Sequence, residues 1–121
     1  MAKRAMTVDD SRTMRDMVAF TLRGAGFEVS MAEDGQQALT LLKTTTVDVL
    51  ITDLNMPVMD GVTLIRALRA DAKWRALPIL MLTTESDPAK KAEGRTAGAT
   101  GWLVKPFNPE KLIEVVKRVC G

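Results

Sequence analysis

Four short stretches carry the polar groups from which chemistry can be built: Asp9-Asp10, Asp53 with Asn55 close behind it, Thr83-Thr84, and Lys105-Pro106. The chain has no histidine, which excludes a phosphohistidine, a histidine general base and a histidine metal site within it. Its one cysteine, Cys120, lies beside the end. It reads as a small, partly buried side chain with no disulfide partner, in keeping with a reducing compartment. Carboxylate, hydroxyl and amine groups must therefore do the work.

Three carboxylates brought together raise one another's pKa unless positive charge lies among them. With oxygen donors alone, the natural cation is a hard ion such as magnesium. Position along the chain makes Asp10 and Asp53 the expected direct ligands and Asp9 a ligand through water. The main-chain carbonyl of Asn55 would be the third protein donor. A carboxylate can also attack phosphorus to give an acyl phosphate, and Asp53 is the best-placed nucleophile. The cation and the Lys105 ammonium would then stabilise charge spread over the phosphoryl oxygens. The Thr83 hydroxyl could donate to one of those oxygens only once the phosphoryl group had arrived, which makes it a candidate switch. Pro106 restrains Lys105 to extended backbone and allows a cis bond that would aim its side chain inward.

These groups act together only if the fold assembles them. Short apolar runs alternate with helical patterns along the whole chain, the mark of βα units around a parallel sheet, and five units can be counted. The expected strands are Ala5 to Val8, Phe27 to Ala32, Val47 to Thr52, Ile79 to Leu82 and Trp102 to Val104. The third is nearly all apolar or β-branched apart from Asp48, as a strand covered on both faces should be, and is expected at the centre. The expected helices bury Met14, Met17, Val18 and Leu22, then Ala38, Leu39 and Leu42, then Leu64, Ile65 and Leu68, and lastly Leu112, Val116 and Val119. Ser11 should cap the first helix, Gly24 and Gly26 should stop it, and Pro88 and Pro109 suit the first turns of the last two.

On such a sheet, ligands bind beyond the carboxyl ends of the strands, and all four polar stretches fall there. Taken singly, each has a plain structural reading: an acidic pair caps a helix and meets its dipole, and a strand-end Thr or a Lys-Pro pair shapes a turn. Their co-occurrence at four strand ends favours chemistry.

The 121 residues suit one domain spanning 1–121. The 46% apolar and 26% charged shares are those of a packed globular protein. No run approaches the roughly 20 apolar residues that span a bilayer, and the first residues do not read as a secretory signal, so the cytoplasm is the expected address. Basic residues number 17 against 15 acidic ones, spread without the basic run that a phosphate backbone would require, and nucleic acid is not an expected partner.

The segments TVDDSRTMR, DVLITDLNMPVMDG, LPILMLTTES and GWLVKPF resemble, in order and spacing, the receiver domains of two-component response regulators, particularly the free-standing chemotaxis regulators. The resemblance covers essentially the whole chain. It implies a doubly wound, flavodoxin-like α/β fold: a five-stranded parallel sheet in the order 2-1-3-4-5 with five helices. It implies that Asp53 is the phosphoacceptor, that Asp9, Asp10 and Asn55 complete a magnesium pocket, and that Thr83 and Lys105 form the switch pair. The phosphoryl donor would be a histidine kinase. A phosphatase and the flagellar motor switch are further implied partners of a monomeric domain. Asn55 and Glu85 occupy positions that tune self-dephosphorylation in that family. Trp102 stands where the family usually has Tyr or Phe, so its coupling to Thr83 is open, and covering the sheet edge is its alternative role. Lys90, Lys91, Arg95 and Trp102, with Lys111 and Lys117, would form a basic, partly aromatic output face suited to an acidic peptide.

Two other classes fit less well. A phosphatase of the haloacid-dehalogenase type needs a second Asp two places after the first, where this chain has Asn55. A flavin carrier needs a phosphate-cradling first turn, where Asp9-Asp10 would repel the cofactor. Within the receiver reading, a phosphate sink for the kinase is the alternative to motor control.

Overall fold

The protein is described by a computed structural model covering residues 3–84 and 88–120. Its elements alternate in chain order: β1 (Arg4–Val8), α1 (Arg12–Gly24), β2 (Glu28–Ala32), α2 (Gly35–Leu42), β3 (Val49–Asp53), α3 (Gly61–Ala70), β4 (Ile79–Thr83), α4 (Pro88–Ala97), β5 (Gly101–Val104) and α5 (Pro109–Cys120). All neighbouring strands pair in parallel, in the order β2-β1-β3-β4-β5. The chain thus has the expected doubly wound five-stranded sheet with β3 at its centre.

Side chains alternate across the pleat, so each strand supplies both faces. Met6, Val8, Leu50, Ile79 and Met81 meet α2 and α3 through Ala38, Leu42, Leu64, Ile65 and Leu68. On the other face Ala5, Val49, Ile51, Leu80, Leu82 and Leu103 meet α1 and α5 through Val18, Leu22, Leu112 and Val116. Each fully buried aliphatic side chain contributes about 1.5–3 kcal/mol, so these two layers dominate stability.

Helix starts are set locally. Ser11, Asp34 and Asp60 accept hydrogen bonds from the backbone N–H groups of Met14, Gln37 and Thr63, which a helix start otherwise leaves unpaired. Helix α1 ends at Gly24, and Gly26 follows with a φ of 94°, a left-handed turn that glycine adopts freely. One inward assignment is corrected: Met17 is exposed. The buried stripe of α1 runs through Val18, Ala19 and Leu22, and at 100° per residue Met17 lies on its far side, near the exposed Phe20. No helix among the described residues is long and apolar enough to cross a membrane.

Candidate functional site

Three strands deliver the site. Beyond β1 the chain places Asp9 almost wholly buried, with Asp10 beside it and exposed. Strand β3 ends in Asp53, 8% exposed, and β5 leads into Lys105, whose bond to Pro106 is cis. A carboxylate oxygen from each of Asp9, Asp10 and Asp53 lies within 4.8 Å of the other two. The Lys105 Nζ stands 3.1 Å from Asp9 Oδ2 and 3.1 Å from Asp53 Oδ1, so one ammonium bridges the two buried carboxylates.

The remaining lone pairs are largely fixed by backbone. Asp9 Oδ1 accepts from Ser11 N at 2.9 Å, and Asp53 Oδ1 accepts from Leu54 N at 2.8 Å. These bonds hold both side chains in single orientations. Arg15, which the sequence reading did not single out, donates from Nη1 to the Asp9 carbonyl at 2.6 Å. The signal was present, since Arg15 is a charged residue on the buried stripe of α1. Gly61 opens α3. A Cβ there would overlap the carbonyl oxygen of Asp53, so only glycine lets α3 begin against the end of β3.

Burial raises the Asp53 pKa, the neighbouring Asp9 charge raises it further, and Lys105 offsets only part of this. Desolvation alone would lower Lys105, but the charges of Asp53 and Asp9 outweigh it and leave its pKa raised. Three carboxylates against one ammonium leave net negative charge in a confined space lined by oxygen donors. That donor set fits a hard divalent cation, and magnesium meets this chemistry.

Thr83 ends β4, 4% exposed, and its hydroxyl donates to the Thr84 carbonyl at 3.4 Å, long for a hydroxyl bond. Asn55 is exposed two residues beyond Asp53. Glu85 lies outside the described residues. Trp102 is 40% exposed and faces outward, with the Lys91 ammonium 5.3 Å and the Arg95 guanidinium 5.1 Å from its ring centre. Lys90 lies 3.8 Å from Glu93, on the same helix as Lys91 and Arg95. The structure therefore gathers Asp9, Asp10, Asp53 and Lys105 into one cluster. Trp102, Lys91 and Arg95 form a separate group on the surface.

The response regulator receiver domain profile matches residues 5–117, and the chain belongs to that family. It is 43% identical over 118 residues to the chemotaxis protein CheY homolog of Campylobacter jejuni, covering 96% of this chain and 91% of that protein. It is 37% identical to the DNA-binding response regulator MtrA of Mycobacterium tuberculosis, covering 97% of this chain but 50% of MtrA. The chemotaxis response regulator CheY4 of Vibrio cholerae superposes with a TM-score of 0.92 at 50% identity, over 98% of this chain and 99% of that one. The receiver domain of the Pseudomonas aeruginosa sensor histidine kinase PA1611 superposes with a TM-score of 0.92 at 27% identity, over 100% of this chain and 99% of that one. That structure holds a magnesium ion in its active site cleft. The strand-end location of the site follows the rule for open α/β sheets, for which CheY is itself a standard illustration. As a receiver domain the chain is a signalling module rather than a catalytic enzyme, and a histidine kinase is the kind of phosphoryl donor its family implies.

Proposed function

We propose that this chain, a receiver domain spanning 1–121, accepts a phosphoryl group on Asp53 from a histidine kinase of the CheA type. The observation that carries this reading is the Asp9–Lys105–Asp53 bridge beside Asp10 at the carboxyl edge of the sheet. Lys105 neutralises one carboxylate's worth of charge and is placed to meet phosphoryl oxygens as negative charge builds on them. Asp53 Oδ1 is held by Lys105 and Leu54 N, leaving Oδ2 as the attacking oxygen. Attack forms a bond from Oδ2 to phosphorus while the bond from phosphorus to the donor's imidazole nitrogen breaks, and that nitrogen keeps the electron pair. Asp9, Asp10, Asp53 and the Asn55 carbonyl would hold magnesium, which supplies positive charge to the transferring phosphoryl group. Thr83, whose present hydroxyl bond is long, would turn to the arrived phosphoryl group.

The output face would be α4 with Trp102, where Lys90, Lys91 and Arg95 favour an acidic, partly apolar peptide of the kind a flagellar motor switch protein presents. The higher identity to the CheY homolog, 43% against 37% for MtrA, supports a chemotaxis role. A phosphate sink is the second reading within the same chemistry. A phosphatase partner and a rate of self-dephosphorylation set by Asn55 and Glu85 complete the proposal, with the domain acting as a cytoplasmic monomer.

The test is phosphotransfer from an autophosphorylated CheA-type kinase in the presence of magnesium. The reading expects label to leave the kinase and appear on wild-type protein within seconds to minutes, and not on Asp53→Asn. Label retained by the kinase in the presence of folded wild-type protein would defeat it. Binding of the phosphorylated form to a motor-switch peptide then separates motor control from a sink.

A further inference from the structure

The loop joining β3 to α3 leaves Asp53 and returns to it. At its base Gly61 N donates to the Leu54 carbonyl at 3.0 Å, and Leu54 N donates to Asp53 Oδ1. Within it Val58 has a φ of 68°, the one non-glycine residue with positive φ among the described residues. For a β-branched side chain this left-handed conformation is strained, and Gly, Asn or Asp would adopt it more readily. Neighbours impose it. The Met59 carbonyl accepts from Gly35 N at 3.0 Å, and Asp60 is committed to capping α3. Packing does not repay the strain, because Val58 is 83% exposed. A strained backbone held in place by its surroundings, with its side chain presented to water rather than packed, points to a use outside the isolated protein.

The use follows from distance. Three peptide bonds link Val58 to Gly61, so their Cα atoms are at most about 11 Å apart, and Gly61 packs against the carbonyl of Asp53. An ordinary protein interface buries about 800 Å² on each partner, a disc of about 16 Å radius. A protein that delivers a phosphoryl group to Asp53 therefore covers Val58 as well.

We propose that Val58 is a contact point for the phosphodonor protein, which places an apolar side chain against it; this rests on the phosphoacceptor reading of Asp53. A small acyl phosphate buries no surface there and does not use the contact. The anchors on either side hold the valine exposed near the site.

The experiment compares two donors, acetyl phosphate and the phosphorylated histidine phosphotransfer domain of a CheA-type kinase, on wild type, Val58→Asn and Val58→Met. Asn suits the left-handed backbone but is polar, whereas Met keeps an apolar side chain without the β-branch. Val58→Asn should melt above wild type and accept phosphoryl from acetyl phosphate within about twofold of the wild-type rate. It should lose about fivefold or more in transfer from the protein donor, the loss typical of truncating an interface residue that matters. Val58→Met should transfer much like wild type. Protein-donor transfer to Val58→Asn within about twofold of wild type overturns the contact, and so does a parallel loss from both donors, which would mean that the loop shapes the site itself. Wild type inert to both donors is a different result: it defeats the phosphoacceptor reading and removes the premise of the contact.

Discussion

The strand-end site and the α4 face belong to one domain and are held in opposite ways. At the site, Asp9 and Asp53 are buried, bridged by one ammonium, fixed by backbone N–H groups and backed by a glycine that meets main chain directly. On α4 only Gly94 is buried, and Trp102 is held by two cations across its ring. Each such exposed cation–π contact contributes about 0.5–1 kcal/mol. Under the proposed function, the groups that would meet a transferring phosphoryl group are locked, and the surface that would change is held by contacts that a modest free energy can reset.

The two glycines give the sharpest contrast and the largest expected effect. Gly61→Ala drives a methyl into the carbonyl of Asp53 and should cost about 3 kcal/mol or more, because backbone cannot step aside. Gly94→Ala meets only the sulfur end of Met81 and gains helix propensity, so its net cost should be about 1 kcal/mol. Denaturant melts of both decide the point, and equal losses would erase the distinction between the regions. Lys105→Met comes next. It strands two carboxylates and should cost about 2–3 kcal/mol without added metal, as removing one partner of a buried pair does.

Asp53→Asn should act in the opposite direction. A carboxyl whose folded pKa is raised binds a proton more readily in the folded state than in the unfolded one. Stability therefore rises as pH falls through that raised value and is lower above it. In metal-free protein at neutral pH the Asn variant should be more stable, by about 1 kcal/mol, and its melting temperature should depend less on pH just above the ordinary carboxylate range. A variant that melts lower across that window would contradict the charge crowding argued for the site. Lys105 works with the reverse sign: its pairing stabilises the fold below the ordinary lysine pKa and is lost as pH climbs through the raised folded value. The smallest effect belongs to the α4 face. Arg95→Ala should cost under about 1 kcal/mol and leave phosphorylation intact, while making Trp102 fluorescence easier to quench with acrylamide.

Much of this was legible in the residues themselves. The run from Val47 to Thr52 declared a central strand through its apolar and β-branched character, interrupted only by Asp48, and every residue of β3, which starts at Val49, is buried. Asp9, Asp53 and Lys105 were legible because strand ends on a parallel sheet share an edge. The bridge Lys105 makes between the two carboxylates was not, since a distance of 3.1 Å between residues 96 positions apart leaves no periodic trace. Met17 misled because a stripe drawn through i and i+3 turns away from one drawn through i+4 and i+8. Val58 gave no warning either: a valine in a loop reads as ordinary until its φ is seen, since strain is imposed by the anchors on both sides rather than by the residue.

The most direct measurement is the intact mass of wild type and Asp53→Asn after incubation with acetyl phosphate, with and without magnesium. The account predicts a gain of one phosphoryl group on wild type that requires magnesium and is absent from the variant. An equal gain on Asp53→Asn, or none on wild-type protein shown to be folded and to bind magnesium, would contradict it.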